Sequence, residues 1–146
     1  MKKLMTIAIA GLMATALSAQ AETAEEMVAS MKKADMTYRE LMAVMGKSST
    51  SIHEGILRQN KQMVETGVTF ILTHPAPNHK PWSIMAKEDQ SGFKQTLMAY
   101  DKVLDQHANA ILSASNKGDW AAATAASHEL MNACASCHAA WKNKAK

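Results

Sequence analysis

The only two cysteines of this chain are followed directly by a histidine, in the order Cys134-Ala-Ser-Cys137-His138. This C-x-x-C-H spacing is typical of covalent haem attachment. Residues three apart lie on one face of a helix, so both thiols can reach the two vinyl groups of one haem. The sequence therefore predicts one covalent haem c, held by two thioethers, with His138 as an axial ligand of the iron.

Other uses of two cysteines fit this sequence less well. A disulfide within C-x-x-C is geometrically awkward inside a helix. The dithiol of an oxidoreductase lies at a helix N-terminus after a strand, and no strand is predicted before Cys134. A structural zinc site needs four ligands, and the sequence holds no second cysteine pair. A copper or zinc site of methionine and histidine stays an alternative, although the methionines are spread along helical stripes rather than clustered.

Residues 1–21 have the pattern of a secretory signal peptide. Lys2 and Lys3 form a basic start, Leu4–Leu17 is largely apolar, and Ala19-Gln-Ala21 supplies a small-x-small cleavage site. The apolar run is shorter than the roughly 20 residues that a membrane span needs. We therefore expect export to the bacterial periplasm, with residues 22–146 as a single mature domain that has no membrane span.

The composition favours helices and excludes some functions. Apolar residues make up 47% of the chain, but aromatic residues make up only 5%. The 6 glycines and 3 prolines are too few for the many turns of an all-β protein. The 16 basic and 13 acidic residues nearly balance, whereas a nucleic-acid-binding protein clusters its basic residues on one face. We expect a helical protein without a nucleic-acid partner.

Apolar residues at helical spacing predict four helices after the signal segment. The first extends from Thr23, where Glu26 completes a capping box, to about Arg58. Gly46 and the run Ser48–Ser51 are poor helix formers in its middle, so a break there is the alternative.

The other three helices have local start and stop signals. Asn60 can cap the second helix, which ends near Thr73. Gly118 ends the third helix. Asp119 can then cap the fourth helix, which extends to about Asn143 and carries the haem motif.

The segment His74–Pro81 holds all 3 prolines of the chain and is predicted as a loop between the second and third helices. Four amphipathic helices of these lengths bury their apolar stripes most simply as an antiparallel four-helix bundle. The expected fold class is therefore all-α, with the haem attached to the C-terminal helix.

The chain resembles the class II c-type cytochromes, the family of cytochrome c′ and cytochrome c-556. The resemblance rests on the haem motif followed by Trp141-Lys142, on Gly118-Asp119 before the last helix, and on Tyr38–Met42 in the first helix. It implies a haem motif near the C-terminus of a four-helix bundle and a distal haem residue in the first helix. The segment His74–Pro81 departs from the family pattern.

The resemblance also implies the second axial ligand. Leu41-Met42 followed by Gly46-Lys47 resembles the c-556 pattern, in which Met42 closes the distal side of the iron and gives a low-spin electron carrier. Met45, one turn further on, and a histidine ligand are alternatives. A distal side without a protein ligand is a further alternative, as in cytochrome c′, which binds NO and CO. The family position of Arg39 implies a place near a haem propionate, and a solvated helix residue is the alternative.

We therefore expect a periplasmic one-electron carrier, with His138 and Met42 as the iron ligands, rather than an enzyme. Covalent haem in a small bundle needs no substrate pocket, and the sequence offers no defensible nucleophile–base pair. The expected partners are redox proteins of the periplasm. The resemblance also implies a homodimer through the first two helices.

Overall fold

The computed structural model describes residues 22–146. The predicted signal peptide, residues 1–21, lies outside the described residues. The described chain forms five α-helices, two very short strands and two 3-10 turns. The helices are α1 (Ala24–Ser30), α2 (Tyr38–Leu57), α3 (Lys61–Thr73), α4 (Gln90–Lys117) and α5 (Trp120–Trp141). The strands are β1 (Lys33–Ala34) and β2 (Ala76–Pro77), and the 3-10 turns are Pro81–Ile84 and Lys142–Lys144.

The prediction of one helix over Thr23–Arg58 is wrong, because the chain leaves helical geometry between α1 and α2. Strand β1 lies in this interval and pairs in parallel with β2, with Lys33 opposite Ala76. Strand β2 belongs to the segment His74–Pro81, which is non-helical up to Lys80, as the prolines predicted. The helix predicted over Thr23–Arg58 is therefore interrupted at β1, where the chain pairs with the proline-rich segment.

A second capping box starts the helix again. The Thr37 hydroxyl accepts a hydrogen bond from the Glu40 amide, and the Glu40 carboxylate accepts one from the Thr37 amide. The alternative break at Gly46 and Ser48–Ser51 is also wrong, since both lie inside the continuous α2. Packing against neighbouring helices outweighs the weak helix propensity of these residues.

The other helix boundaries confirm the local signals. The Asn60 side chain accepts from the Met63 amide at 3.1 Å, as an N-cap of α3. Gly118 ends α4 in the left-handed region, with φ of 76°, where glycine has no steric penalty. The Asp119 carboxylate accepts from the Ala122 amide at 3.0 Å and caps α5.

The main core lies among α2, α3, α4 and α5. Helix α2 packs on α3 and α5, and α4 packs on α3 and α5. A Cβ atom at Gly67 would lie 2.7 Å from Ile52 Cγ1 and 2.8 Å from the Ser48 carbonyl oxygen, so the missing side chain lets α3 approach α2 closely. The buried residues of this core are Ile52, Ile56, Val64, Val68, Ile71, Ala108, Ile111, Ala114, Ala123 and Leu130.

A second core joins α1 to the segment after α3 and to the start of α4. Its buried residues are Ala24, Val28, Ala76, Trp82, Met85 and Phe93. Lys94 on α4 forms an ion pair with Glu25 on α1, and its ammonium also lies 4.7 Å from the centre of the Trp82 ring. Helix α1 is thus attached to the outside of α4 rather than continuing α2. Within residues 22–146, no helix is both long enough and apolar enough to cross a membrane.

Candidate functional site

A cavity of about 1430 Å³ borders both cores. Its walls come from α1, α2, α4, α5, the segment after α3 and the chain end. Small-molecule sites commonly measure about 300–1,000 Å³, so this cavity has room for a large planar cofactor. Its walls are largely apolar, which suits a cofactor with a hydrophobic body.

All three residues of the C-x-x-C-H motif line this cavity. Cys134 and Cys137 lie in the last part of α5, on the face that also buries Leu130 four residues before Cys134. The two thiols are free and half-buried, and His138 is exposed in the last turn. The spacing therefore brings both thiols to one helical face, as the sequence predicted.

The pKa values of the two thiols are shifted in the direction opposite to that in a redox dithiol. Burial raises the pKa of the Cys134 thiol. Burial also raises the pKa of the Cys137 thiol, and a charge on Cys134 would raise it further. Catalytic dithiols have lowered thiol pKa values, because positive groups or a helix N-terminus stabilise the thiolate. Both cysteines instead lie near the C-terminal end of a helix, which favours neutral thiols.

The predicted distal residues lie on α2 and line the same cavity. Tyr38, Met42, Met45 and Ser49 recur at helical spacing along the wall. Met42 and Met45 are both half-buried, so either thioether can be directed into the cavity. Leu41, which is fully buried, lines it as well. The structure thus brings α2 and the haem motif of α5 to one cavity and leaves both methionines as candidates.

Basic side chains lie at the rim of the cavity. Arg39, Lys142 and Lys146 are exposed and contribute to its lining. Their positions suit carboxylates that project from a cofactor towards solvent. Arg39 thus lines the cavity, its pairing with a propionate stays a prediction, and Lys146 is a rim residue that sequence reasoning missed.

Four histidines besides His138 line the cavity: His53, His74, His79 and His128. Within the described part of the chain, no group of three or more histidine, cysteine, aspartate or glutamate side chains is arranged to hold a metal ion. This finding offers no support for a metal site independent of the haem motif. His107 on α4 is half-buried and lies outside the cavity lining.

An aromatic wall also escaped the sequence analysis. Tyr38 and Phe93 pack edge to face, with ring centroids 6.1 Å apart, and Phe93 packs in the same way on Trp141. The Trp141 indole N–H donates to the Thr96 hydroxyl at 3.1 Å. Burial raises the pKa of the Tyr38 phenol, and a charge on Cys137 would raise it further. The sequence signals for this wall were Trp141, one helical turn after His138, and Tyr38 in the stretch Tyr38–Met42.

The donors around the cavity have the chemistry to hold a c-type haem. Two thiols on one helical face can form thioethers, an imidazole follows them, and a thioether side chain faces the cavity from α2. Imidazole and thioether are both established iron ligands. Comparison of this chain with protein-family models, curated proteins and solved structures finds no match in any of the three.

Proposed function

We propose that this protein is a periplasmic monohaem c-type cytochrome of the class II kind, which transfers one electron at a time. The observation that carries the proposal is that the C-x-x-C-H motif of α5 and the methionine-bearing face of α2 line one large apolar cavity. The proposal includes one haem c, attached through thioethers to Cys134 and Cys137. His138 and Met42 are the proposed axial ligands.

The haem, when bound, supplies a one-electron iron couple, and the chain sets its environment. The Met42 thioether is a soft ligand, which favours the reduced iron relative to a second histidine. The apolar walls keep water from the ring, which limits the reorganisation that accompanies a change of charge. Arg39 at the rim is proposed to pair with a propionate.

We also infer that α2, α3, α4 and α5 form the antiparallel four-helix bundle of this family. Support comes from the contacts of α2 and α4 with both α3 and α5, and from the haem motif on the last of these helices. Helix α1 and the two short strands are then additions to the bundle. The signal-peptide pattern of residues 1–21 supports export.

The proposed partners are redox proteins of the periplasm. The chain has no strong excess of either charge, so docking is expected to depend on local patches rather than on long-range steering. A homodimer through α2 and α3 is the oligomer that the family resemblance implies.

A gas-binding cytochrome c′ is the second candidate. The observation that favours it is Leu41, a buried apolar side chain beside Met42 that also lines the cavity. If Leu41 covers the iron and Met42 packs as an ordinary core residue, the sixth position is free for NO or CO. The two candidates share the attachment and differ in the spin state of the iron.

Visible spectra of the exported protein, oxidised and reduced, with and without CO, test the proposal. A low-spin spectrum with the weak absorption of a sulfur–iron bond, and little response to CO, supports the electron carrier. Met42→Ala must abolish that absorption, while Met45→Ala, one turn along the same wall, must leave it. A high-spin reduced spectrum with strong CO binding supports the gas-binding candidate instead. A protein with free cysteines and no haem spectrum contradicts both.

A further inference from the structure

The first turn of α2 is stabilised by hydrogen bonds to side chains nearby in the sequence and to one side chain far away in it. Thr37 and Glu40 satisfy each other's amides through the capping box. The next amide, that of Tyr38, donates to Nε2 of the His79 imidazole at 3.2 Å. The first amides of a helix have no partner inside the helix, so each needs an outside acceptor. For Tyr38, that acceptor comes from the proline-rich segment, far away in the sequence.

The contacts of the His79 ring determine its tautomer. Nε2 must carry a lone pair to accept from the Tyr38 amide, so the proton is on Nδ1. Nδ1 lies 3.2 Å from the Lys80 carbonyl oxygen, to which it can donate. The Ser83 hydroxyl also lies within 3.5 Å of Nδ1 and donates to the same carbonyl. Both ring nitrogens therefore have matching partners.

The segment that carries His79 is itself attached to the chain before α2. Strands β1 and β2 pair, and the Ala76 amide donates to the Lys32 carbonyl at 2.7 Å. The Asn78 side-chain amide donates to the Asp35 carboxylate at 3.2 Å. His79 thus lies in a segment that is bonded to residues 32–35, which connect α1 to α2.

We propose that His79 is a positioning residue for Met42. The inference rests on the proposed function, in which Met42 ligates the iron. By the i→i−4 pattern of an α-helix, the Met42 amide donates to the Tyr38 carbonyl, so the first turn directly supports the residue that bears the thioether. Loss of the His79 acceptor frees the Tyr38 amide, frays this turn and lets the Met42 sulfur leave the iron more often.

Three histidine variants of the haem-loaded protein test this role. His79→Ala removes the acceptor, and His79→Gln keeps an oxygen acceptor near the position of Nε2. His107→Ala is the matched control, since His107 is also half-buried but lies on α4 outside the cavity lining. Two measurements apply to each variant: hydrogen exchange of the Tyr38 amide, and the sulfur–iron absorption together with CO binding.

We expect His79→Ala to exchange the Tyr38 amide roughly threefold to tenfold faster, as loss of one hydrogen bond implies. It should also lower the sulfur–iron absorption and raise CO binding. His79→Gln should restore both properties, and His107→Ala should change neither. Nitrogen chemical shifts of the wild-type imidazole should show the proton on Nδ1, a result that does not depend on the folding of any variant.

Contrary results separate this inference from the proposed function. If the wild-type protein has the sulfur–iron absorption but His79→Ala keeps both it and the Tyr38 exchange rate, the positioning role is overturned alone. The same conclusion follows if the wild-type proton lies on Nε2, or if glutamine does not restore what alanine removes. If the wild-type protein lacks the sulfur–iron absorption, both the Met42 ligation and the positioning role are overturned.

Discussion

Phe93 and Trp141 pack edge to face, with ring centroids 5.4 Å apart and ring planes at 64° to each other. The contact joins the start of α4 to the end of α5, one turn after His138. Tyr38, at the start of α2, packs on the same Phe93 ring at a centroid distance of 6.1 Å. One aromatic cluster therefore connects the helix that carries Met42 to the helix that carries the haem motif.

Two replacements of Trp141 should distinguish the contribution of its hydrogen bond to stability from that of its ring contact. Trp141→Phe keeps an aromatic ring but removes the indole N–H, so we expect a loss of about 0.5–1.5 kcal/mol in the free energy of unfolding. Trp141→Leu should lose more, because an edge-to-face pair adds about 0.5–1.5 kcal/mol beyond its buried area. Urea unfolding of the haem-loaded protein measures both values.

Thr96→Val serves as the partner in a double-mutant cycle for the same hydrogen bond. If the indole–hydroxyl bond stabilises the protein, the combination of Trp141→Phe and Thr96→Val should cost less than the two single changes together. Strictly additive effects would show that the bond contributes nothing to stability.

Two glycines of neighbouring helices should respond to alanine in opposite ways. At Gly67 a Cβ atom would meet Ile52 and the Ser48 carbonyl below 3.0 Å, so Gly67→Ala should destabilise the protein by about 1–3 kcal/mol. At Gly46, an exposed position in the middle of α2 that lines the cavity, the added Cβ would meet no atom of the described chain within 4 Å beyond its sequence neighbours and the nearby backbone of its own helix. Gly46→Ala should therefore stabilise by roughly 0.5–1 kcal/mol. Thermal unfolding of both variants checks the prediction, which fails if the two shifts have the same sign.

The capping box of α2 should make the protein's stability depend on acid pH. The Thr37 backbone and hydroxyl bonds lower the pKa of the Glu40 carboxyl below its ordinary value of 4.5. The stabilisation is therefore complete above pH 4.5 and is lost as the pH falls through the lowered pKa. Thr37→Ala removes the hydroxyl but keeps the amide, so it should raise the Glu40 pKa only part of the way to 4.5, and Thr37→Ser should keep it low. Carboxyl NMR titration measures the pKa, and an unchanged value in Thr37→Ala would contradict the prediction.

Covalent attachment should require at least one cysteine of the motif. Under the proposed function, Cys134→Ala/Cys137→Ala abolishes haem that survives denaturation, while each single variant keeps one thioether. Ser136→Ala, between the cysteines and exposed, is the matched control and should retain the full haem mass. Mass spectrometry of the denatured protein decides, and a double variant that still carries haem mass would contradict thioether attachment.

Local chemistry was readable from the sequence wherever a residue and its partner lie within one turn. Asn60, Gly118 and Asp119 mark helix boundaries through bonds or backbone angles that involve their immediate neighbours. The one-face spacing of Cys134 and Cys137 depends only on their lying in a helix, and α5 supplies it. The second capping signal, Thr37 with Glu40, is also present in the sequence, but the prediction followed the apolar stripe that continues across it and missed this signal.

The break between α1 and α2 was decided by tertiary structure. The segment between these helices carries no proline or glycine, so no strong helix breaker marks the end of α1. Pairing of Lys33 with Ala76 and burial of Val28 against the second core favour the extended path, and both depend on contacts distant in the sequence. The spacing of apolar residues along the sequence gives no information about contacts between distant residues.

The sequence by itself determined the C-x-x-C-H motif, the helical class and most helix boundaries, because each depends on short-range spacing. Only the tertiary structure decided which other side chains share the cavity with that motif. Met42 and Arg39 come to it from α2 and the ring of Phe93 from α4, and His79 reaches α2 from a loop. Their convergence depends on how the helices pack, which is a property of the whole chain.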